Sequence, residues 1–238
     1  MLDKTSILTF LTHSLSASGA IIALLALDAV YAGKWELAFL WLGLALIIDG
    51  IDGPIARWVG VKNRSRFSGA RIDLIVDYLN YVFVPAIAFI KFAFLPLTPS
   101  MVLAALMLLS ALFHFSDTMS KSEDHSFVGF PAIWNVVVFF IIVFQPSTAL
   151  ISAIVLLFAA LTFIPFRWSH PFRNRRFRNL TLIVTMAGAA AALWILSVGF
   201  LTSAPTARIV LAIAACYGLT LVVLNATIWR DVRGIDDL

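Results

Sequence analysis

Long apolar runs, separated by short segments that contain glycine or proline, make up most of the chain. A helix needs about 20 mainly apolar residues to cross a bilayer, and inside the bilayer every backbone polar group must be satisfied within the segment. The runs therefore predict transmembrane helices at roughly 8–31, 35–57, 71–95, 99–118, 129–145, 148–166, 180–200 and 206–229. The predicted ends coincide with helix breakers: Gly33, Pro96, Pro99, Pro146 and Pro205.

Composition indicates the same class of protein. Of the 238 residues, 61% are hydrophobic and 13% are charged, which is far from the balance of a soluble domain. No stretch outside the apolar runs is long enough to fold alone. We therefore expect an all-α, polytopic integral membrane protein with about eight transmembrane helices. It should form a single membrane-embedded domain over residues 1–238 that contacts membrane lipid and no nucleic acid.

Basic residues indicate how the helices are oriented. The segments 57–71 and 167–178 are rich in lysine and arginine and contain no acidic residue. With eight spans, these segments and both termini lie on one side, and the other side receives only Lys34, Lys91 and Arg208 of the 17 basic residues. Because cytoplasmic loops carry the excess of lysine and arginine, both termini and both basic segments are predicted to be cytoplasmic.

Four of the 13 acidic residues interrupt the apolar pattern where the second span ends and the third begins. A carboxylate at membrane depth costs a few kcal/mol or more, and several together cannot all ionise unless something neutralises them. Asp49 and Asp52 are spaced for one helix face, and Asp73 and Asp77 for another. Since the two helix ends meet across the basic segment, we expect the four carboxylates to converge just below the cytoplasmic surface.

Such a cluster is suited to divalent cations. All-oxygen sites favour hard ions, and Mg²⁺ or Mn²⁺ are preferred where phosphates complete the coordination. Two ions about 3.5–4 Å apart would match four carboxylates and a pyrophosphate. The small residues Gly53, Ala56 and Gly69 would let a nucleotide approach the backbone, and Arg57 could pair with phosphate oxygens.

The same window resembles the signature of the CDP-alcohol phosphotransferase family, D-x2-D-G-x2-A-R-…-G-x3-D-x3-D. Each fixed position is filled, in the order Asp49, Asp52, Gly53, Ala56, Arg57, Gly69, Asp73 and Asp77. The spacer Trp58–Ser68 is longer than in most members, and in this it resembles the bacterial phosphatidylcholine synthase branch. Residues 13–19, 38–43, 76–85 and 123–135 resemble that branch as well.

The resemblance implies transfer of a phosphatidyl group from CDP-diacylglycerol to choline, which gives phosphatidylcholine and CMP and requires two Mn²⁺ or Mg²⁺ ions. It implies a bacterial inner membrane protein whose active site faces the cytoplasm. A homodimer is the family precedent, and Gly188, Ala189 and Ala192 are small enough for close helix packing.

The resemblance also implies roles for the motif residues. Asp49, Asp52 and Asp73 would be metal ligands. Asp77 would be both a ligand and the catalytic general base that takes the proton of the acceptor hydroxyl. The residues that would contact the CDP moiety are Gly53, Ala56, Arg57 and Gly69.

Choline binding is predicted from its chemistry. A quaternary ammonium has no N–H donor and is recognised by aromatic faces and carboxylates. Asn80 and Tyr81 continue the Asp73–Asp77 region of the third span, and other polar or aromatic residues lie near the predicted site. The candidates, in chain order, are His13, Asn80, Tyr81, Glu123, Asp124, Trp134 and Asn135.

Two alternatives remain open at this level. The same chemistry could serve serine, glycerol 3-phosphate or an inositol phosphate, although a phosphorylated acceptor would favour basic residues facing the cavity. A divalent-cation transporter would use the acids as an ion path. Transport sites, however, generally lie near the membrane midplane on interrupted helices, whereas these aspartates are predicted at one end.

Overall fold

The computed structural model describes residues 4–60, 67–117, 127–164, 167–168, 178–200, 202 and 204–236. These residues are almost entirely helical. The α-helices are α1 (Lys4–Tyr31), α2 (Trp35–Val59), α3 (Gly69–Asp77), α4 (Val84–Lys91), α5 (Leu97–Ser116), α6 (Trp134–Phe144), α7 (Thr148–Leu161), α8 (Arg178–Val198) and α9 (Pro205–Asp236). A π-helical turn, Tyr78–Phe83, joins α3 to α4, and two short strands, β1 (Phe127–Val128) and β2 (Arg167–Trp168), pair antiparallel.

The predicted multi-pass helical architecture is confirmed in part. Among the described residues, five helices are long and apolar enough to cross a membrane: Leu8–Tyr31, Trp35–Val59, Gly69–Lys91, Leu97–Ser116 and Asn179–Val198. Shorter apolar helices occupy the positions of the other three predicted spans, at Trp134–Phe144, Thr148–Leu161 and Pro205–Leu221. The count of eight spans and the orientation of the termini therefore stay predictions.

The predicted fifth span begins later than its apolar pattern suggested. The pattern placed its start near residue 129, but α6 starts at Trp134. Gly129 has a φ of 79° and Ala132 a φ of 54°, and both values are incompatible with a right-handed helix. Pro131 lies between them and has no N–H to donate. Local backbone geometry, which hydropathy does not report, delays the helix by about one turn.

The chain divides into two units, and the aspartate motif lies within one of them. The first unit comprises Met1–Leu108 and Ile133–Phe139, and the second comprises Leu109–Ala132 and Phe140–Leu238. In the first unit α1 packs against α2, α3, the π-helical turn and α4. Its core includes Ala26, Leu42 and Phe89, which are buried almost completely.

Helices α1 and α3 approach each other closely at Gly19 of α1. A Cβ atom at this position would overlap Cγ1 of Val76 on α3. Because a β-branched side chain in a helix has one strongly preferred χ1 rotamer, Val76 has little freedom to move aside. Gly19 therefore sets the distance between α1 and α3.

The second unit contains the strand pair and the contact between α8 and α9. The Phe130 N–H donates to the Leu161 carbonyl oxygen over 3.1 Å, and the Phe130 and Phe158 rings lie 4.7 Å apart. On α8, a Cβ atom at Gly188 would lie 3.3 Å from the Cβ of Ala214 on α9. The small size of Gly188 thus serves packing inside the chain, and the predicted homodimer stays a prediction.

We predict that Gly19→Ala lowers the free energy of unfolding by about 1–3 kcal/mol, the usual effect of overpacking. Thermal unfolding of the purified protein in detergent micelles measures the change. Gly43→Ala is the matched control, because a Cβ atom there would meet nothing within 4 Å. In a helix this control should be neutral or stabilising by up to about 1 kcal/mol. Equal unfolding temperatures for the two variants would contradict the tight contact at Gly19.

Candidate active site

The aspartates are carried by two helix ends of the first unit. Asp49 and Asp52 lie in the C-terminal half of α2, which contains Pro54 and ends at Gly60 in the left-handed conformation. Asp73 and Asp77 lie on α3, whose first turn is capped by the Ser68 hydroxyl accepting from the backbone N–H of Arg71.

Three of the four carboxylates form a compact cluster. One oxygen each of Asp49, Asp52 and Asp73 lies within 4.8 Å of the other two. Asp52 is buried, with 8% of its surface exposed, whereas Asp49 and Asp73 are half-buried. Asp77 is not part of this cluster but lines the same cavity. The structure thus brings together all four predicted residues, with Asp77 set apart from the other three.

Helices α1, α2 and α3 and the π-helical turn all contribute to the cavity lining. Besides the four aspartates, it is lined by Ser16 and Gly19 of α1 and by Asn80 and Tyr81 of the π-helical turn. A π-helical turn changes the register of side chains within a helix and frequently occurs at functional sites. Here it follows Asp77 directly, and both Asn80 and Tyr81 are buried beside the carboxylates.

Two of the clustered carboxylates accept hydrogen bonds from uncharged hydroxyls. The Ser16 hydroxyl donates to Oδ2 of Asp52 over 2.5 Å, and the Tyr81 hydroxyl donates to Oδ2 of Asp49 over 2.8 Å. Each contact joins α2 to another element, α1 in the first case and the π-helical turn in the second. The orientations of Asp49 and Asp52 are therefore set by neighbouring helices.

Asn80 presents a buried oxygen that has no hydrogen-bond partner. Its Nδ2 donates to the carbonyl oxygens of Gly19, over 2.9 Å, and Val76, over 3.0 Å. Both partners are acceptors, so the amide orientation is unambiguous. Among the described residues, Oδ1 meets no donor although Asn80 is only 1% exposed. Leaving such a group unsatisfied costs about 1–3 kcal/mol.

This donor set fits a hard divalent cation. Carboxylate and amide oxygens are the ligand types that Mg²⁺ and Mn²⁺ prefer. Three carboxylate oxygens within 4.8 Å of one another provide such ligands, and Asn80 belongs to the lining of the same cavity. Among the residues that the structure describes, the cavity lining contains no lysine or arginine.

The predicted CDP-binding residues lie at the ends of α2 and α3. Arg57 is exposed, and it makes no hydrogen bond or ion pair through its side chain within the described ranges. A Cβ atom at Gly53 would lie 3.5 Å from Nη1 of Arg57, so the guanidinium lies beside this glycine. Ala56 is half-buried on the same helix. These positions leave Arg57 available for an anion.

Gly69 has a neighbour that the sequence did not suggest. A Cβ atom there would lie 2.6 Å from Cε1 and 2.9 Å from Nδ1 of His13 on α1. His13 is buried, with 9% of its surface exposed. The space over the Gly69 backbone, which we expected a nucleotide to use, is thus occupied by an imidazole ring in this structure.

The remaining choline candidates are placed differently. Trp134 and Asn135, at the start of α6, are buried but are not among the residues that line the cavity. The Asn135 Oδ1 atom accepts from the backbone N–H of Val136 over 2.9 Å, so it serves the first turn of the helix. Glu123 and Asp124 lie outside the described residues.

Sequence reasoning missed Ser16 and Gly19 as parts of the site. A signal for them existed in α1, where Thr9, Thr12 and Ser16 recur at helical spacing inside an otherwise apolar span. Thr9 and Thr12 are both buried. This polar stripe marks the side of α1 that faces its neighbours rather than lipid.

Comparison with known proteins agrees with this site. The model of the CDP-alcohol phosphatidyltransferase family matches residues 5–164, which include the whole aspartate motif. The chain belongs to this family. The predicted family membership is confirmed, and with it the transferase class.

Three bacterial relatives of this chain are named phosphatidylcholine synthase. The phosphatidylcholine synthase of Pseudomonas aeruginosa is 38% identical to it, over 93% of this chain and 91% of that protein. The phosphatidylcholine synthase of Bradyrhizobium diazoefficiens is 43% identical, over 80% of this chain and 72% of its own. That of Rhizobium meliloti is 38% identical, over 81% and 80% respectively. The similarity extends beyond the residues that the family model matches.

We predict that Gly69→Ala displaces the His13 ring and that this displacement, rather than a blocked nucleotide, causes most of the damage. Gly69→Ala alone should lower the thermal unfolding temperature in detergent and weaken CDP binding. In the Gly69→Ala/His13→Ala double variant both losses should shrink, because the clash is gone. A double-mutant cycle on unfolding temperature and CDP affinity measures this coupling.

The opposite outcome is equally informative. If Gly69→Ala is as harmful in the His13→Ala background as in the wild type, the glycine is required for something other than the His13 contact. Close approach of the nucleotide would then be the better explanation for Gly69.

Proposed function

We propose that this protein transfers the phosphatidyl group of CDP-diacylglycerol to choline, which gives phosphatidylcholine and CMP. The observation that carries this proposal is the cluster of Asp49, Asp52 and Asp73 around one cavity inside a fully matched family motif. The similarity to phosphatidylcholine synthases over most of the chain supports choline as the acceptor.

The four motif aspartates would hold the metal. Asp49, Asp52 and Asp73 are close enough to share an ion, and Asp77 lines the same cavity and could contribute to a second one. When bound, two Mn²⁺ or Mg²⁺ ions would polarise the pyrophosphate and stabilise the charge of the departing CMP. The protein's part is to keep the carboxylates together and oriented.

Asp77 is the residue that we assign as general base. It lies one helical turn after Asp73 and faces the cavity without belonging to the three-carboxylate cluster. It would take the proton of the choline hydroxyl as the choline oxygen forms its bond to the phosphatidyl phosphorus. The bond between that phosphorus and the bridging pyrophosphate oxygen breaks, and CMP leaves with the electron pair.

Residues at the ends of α2 and α3 would bind the CDP moiety. Arg57 has an exposed guanidinium with no protein partner among the described residues, which suits a bidentate contact with phosphate oxygens. Gly53 and Ala56 keep the surface beside it open. Gly69 would act through its backbone, in contact with the His13 ring.

Choline would bind beside the aspartates. Tyr81 provides an aromatic ring in a cavity lined by carboxylates and by Asn80, which together suit a cation that carries one hydroxyl. His13 remains a candidate near the start of α3. Glu123, Asp124, Trp134 and Asn135 remain candidates from the sequence, without support from the cavity lining.

The arrangement in the membrane is part of the proposal. We infer eight spans in the bacterial inner membrane, with both termini and the active site at the cytoplasmic face, because the basic residues are distributed in this way. We also infer that the chain acts as one domain, since the family match covers parts of both structural units.

A substrate panel tests the reaction. Purified protein with CDP-diacylglycerol and Mn²⁺ is supplied with choline, serine, glycerol 3-phosphate or inositol phosphate, and CMP release is measured. We expect turnover with choline and its loss when EDTA removes the metal. Turnover of serine but not choline would overturn the acceptor and leave the mechanism intact. In proteoliposomes, metal flux without CMP release would favour a transporter.

A second prediction concerns the general base. Asp77→Asn should lower kcat by about 10²- to 10⁴-fold, the usual contribution of acid–base catalysis. Its Mn²⁺ affinity should fall less than that of Asp52→Asn, because Asp52 belongs to the three-carboxylate cluster. Asp28→Asn, an exposed position on α1 away from the motif, is the control and should retain activity. A kcat near that of the wild type would exclude Asp77 as the base.

A further inference from the structure

We propose that the hydroxyls of Ser16 and Tyr81 are positioning groups that hold Asp52 and Asp49 in the orientation that binds the divalent ion. This inference deepens the proposed function and rests on it. The structure shows the two contacts directly, 2.5 Å from the Ser16 Oγ to Oδ2 of Asp52 and 2.8 Å from the Tyr81 hydroxyl to Oδ2 of Asp49.

The chemical type of the donor matters. A lysine or arginine would also hold a carboxylate, but it would cancel the negative charge that attracts the cation. A hydroxyl donates one hydrogen bond and leaves the charge in place. Ser16 and Tyr81, which both line the cavity, each donate through an uncharged hydroxyl to one of these two aspartates. This is the arrangement expected of a site that keeps its charge for a metal.

The position of Ser16 follows from how α1 docks. Gly19 lies three residues further along the helix and allows α1 to approach Val76 on α3. At the same point the Asn80 amide donates to the Gly19 carbonyl oxygen over 2.9 Å. Ser16, about one turn away on the same side of α1, is thereby brought against Asp52. The close helix contact and the hydrogen bond thus fix the donor before any metal arrives.

The position of Tyr81 follows from the π-helical turn. Tyr81 is 7% exposed, and its ring lies among the residues of the cavity. Its hydroxyl crosses to α2, where it meets Asp49. Tyr78, in the same turn, instead directs its hydroxyl to the carbonyl oxygen of Leu108 over 3.2 Å. Of the two tyrosines, Tyr81 therefore donates to a motif carboxylate, whereas Tyr78 donates to the backbone.

Groups that orient metal ligands affect metal affinity in a measurable way. Removing such a partner typically weakens metal binding by about 10- to 100-fold, because the ligand must be ordered by the metal itself. A residue that serves only the fold would alter stability and leave the metal affinity of the folded protein unchanged. Direct metal binding, measured without turnover, therefore separates the two roles.

The test uses single variants of the full chain in detergent. Ser16→Ala and Tyr81→Phe remove the two hydroxyls and little else. Ser14→Ala and Tyr78→Phe are the matched controls, since the Ser14 hydroxyl bonds only within its own helix, to the Phe10 carbonyl oxygen, and Tyr78 bonds to the backbone. Mn²⁺ binding is titrated by following the electron paramagnetic resonance signal of free Mn²⁺, and thermal unfolding without metal confirms that each variant is folded.

We expect Ser16→Ala and Tyr81→Phe to bind Mn²⁺ about 10- to 100-fold more weakly than the controls. Ser16→Thr, which restores a hydroxyl, should recover much of the affinity, and excess Mn²⁺ should restore CMP release in both variants. Equal affinity in test and control variants would overturn this inference and leave the proposed function standing. Failure of the wild type to bind Mn²⁺ would overturn the metal site, and the inference with it.

Discussion

Mutual repulsion among carboxylates in a confined cavity is the constraint on which the rest of the site depends. Three carboxylate oxygens lie within 4.8 Å of one another, and Asp77 lines the same cavity. Like charges at this separation raise each other's energy strongly where water is scarce. A bound cation would relieve this repulsion. The hydroxyls of Ser16 and Tyr81, which donate to two of the aspartates without adding positive charge, are consistent with a site that binds a cation.

Helix α1 adds a further wall to the cavity between the ends of α2 and α3. α2 and α3 alone would bring the aspartates together but would leave their orientations to solvent and to each other. Gly19 lets α1 approach α3, Asn80 secures the contact by a hydrogen bond, and Ser16 then reaches Asp52. Among the described residues, the side-chain oxygen of the same Asn80 has no hydrogen-bond partner. The close packing at Gly19, the Asn80 hydrogen bond and the unsatisfied Asn80 oxygen thus all occur where α1 contacts α3 and the π-helical turn.

The sequence predicted the elements whose signals are periodic or local. Charge spacing placed Asp49 and Asp52 on one helix end and Asp73 on the next, and the structure brings them together. The π-helical turn that buries Tyr81 has no such periodic signal, because its register depends on tertiary contacts. The ring over Gly69 belongs to His13, far away in sequence. A glycine in the sequence can indicate that another group packs closely against the backbone, but it does not identify that group.

The electrostatics of the cavity also bear on the choice of acceptor. Glycerol 3-phosphate and inositol phosphate would bring further negative charge to a lining that contains four aspartates. Serine and choline bring a cationic group and a hydroxyl, and both are compatible with the unsatisfied Asn80 oxygen. They differ in their donors, since the ammonium of serine has N–H groups and that of choline has none. Serine also carries a carboxylate, which would need a basic partner near Asp77. Choline brings one positive charge and one hydroxyl, which suit a lining that contains carboxylates and the Tyr81 ring.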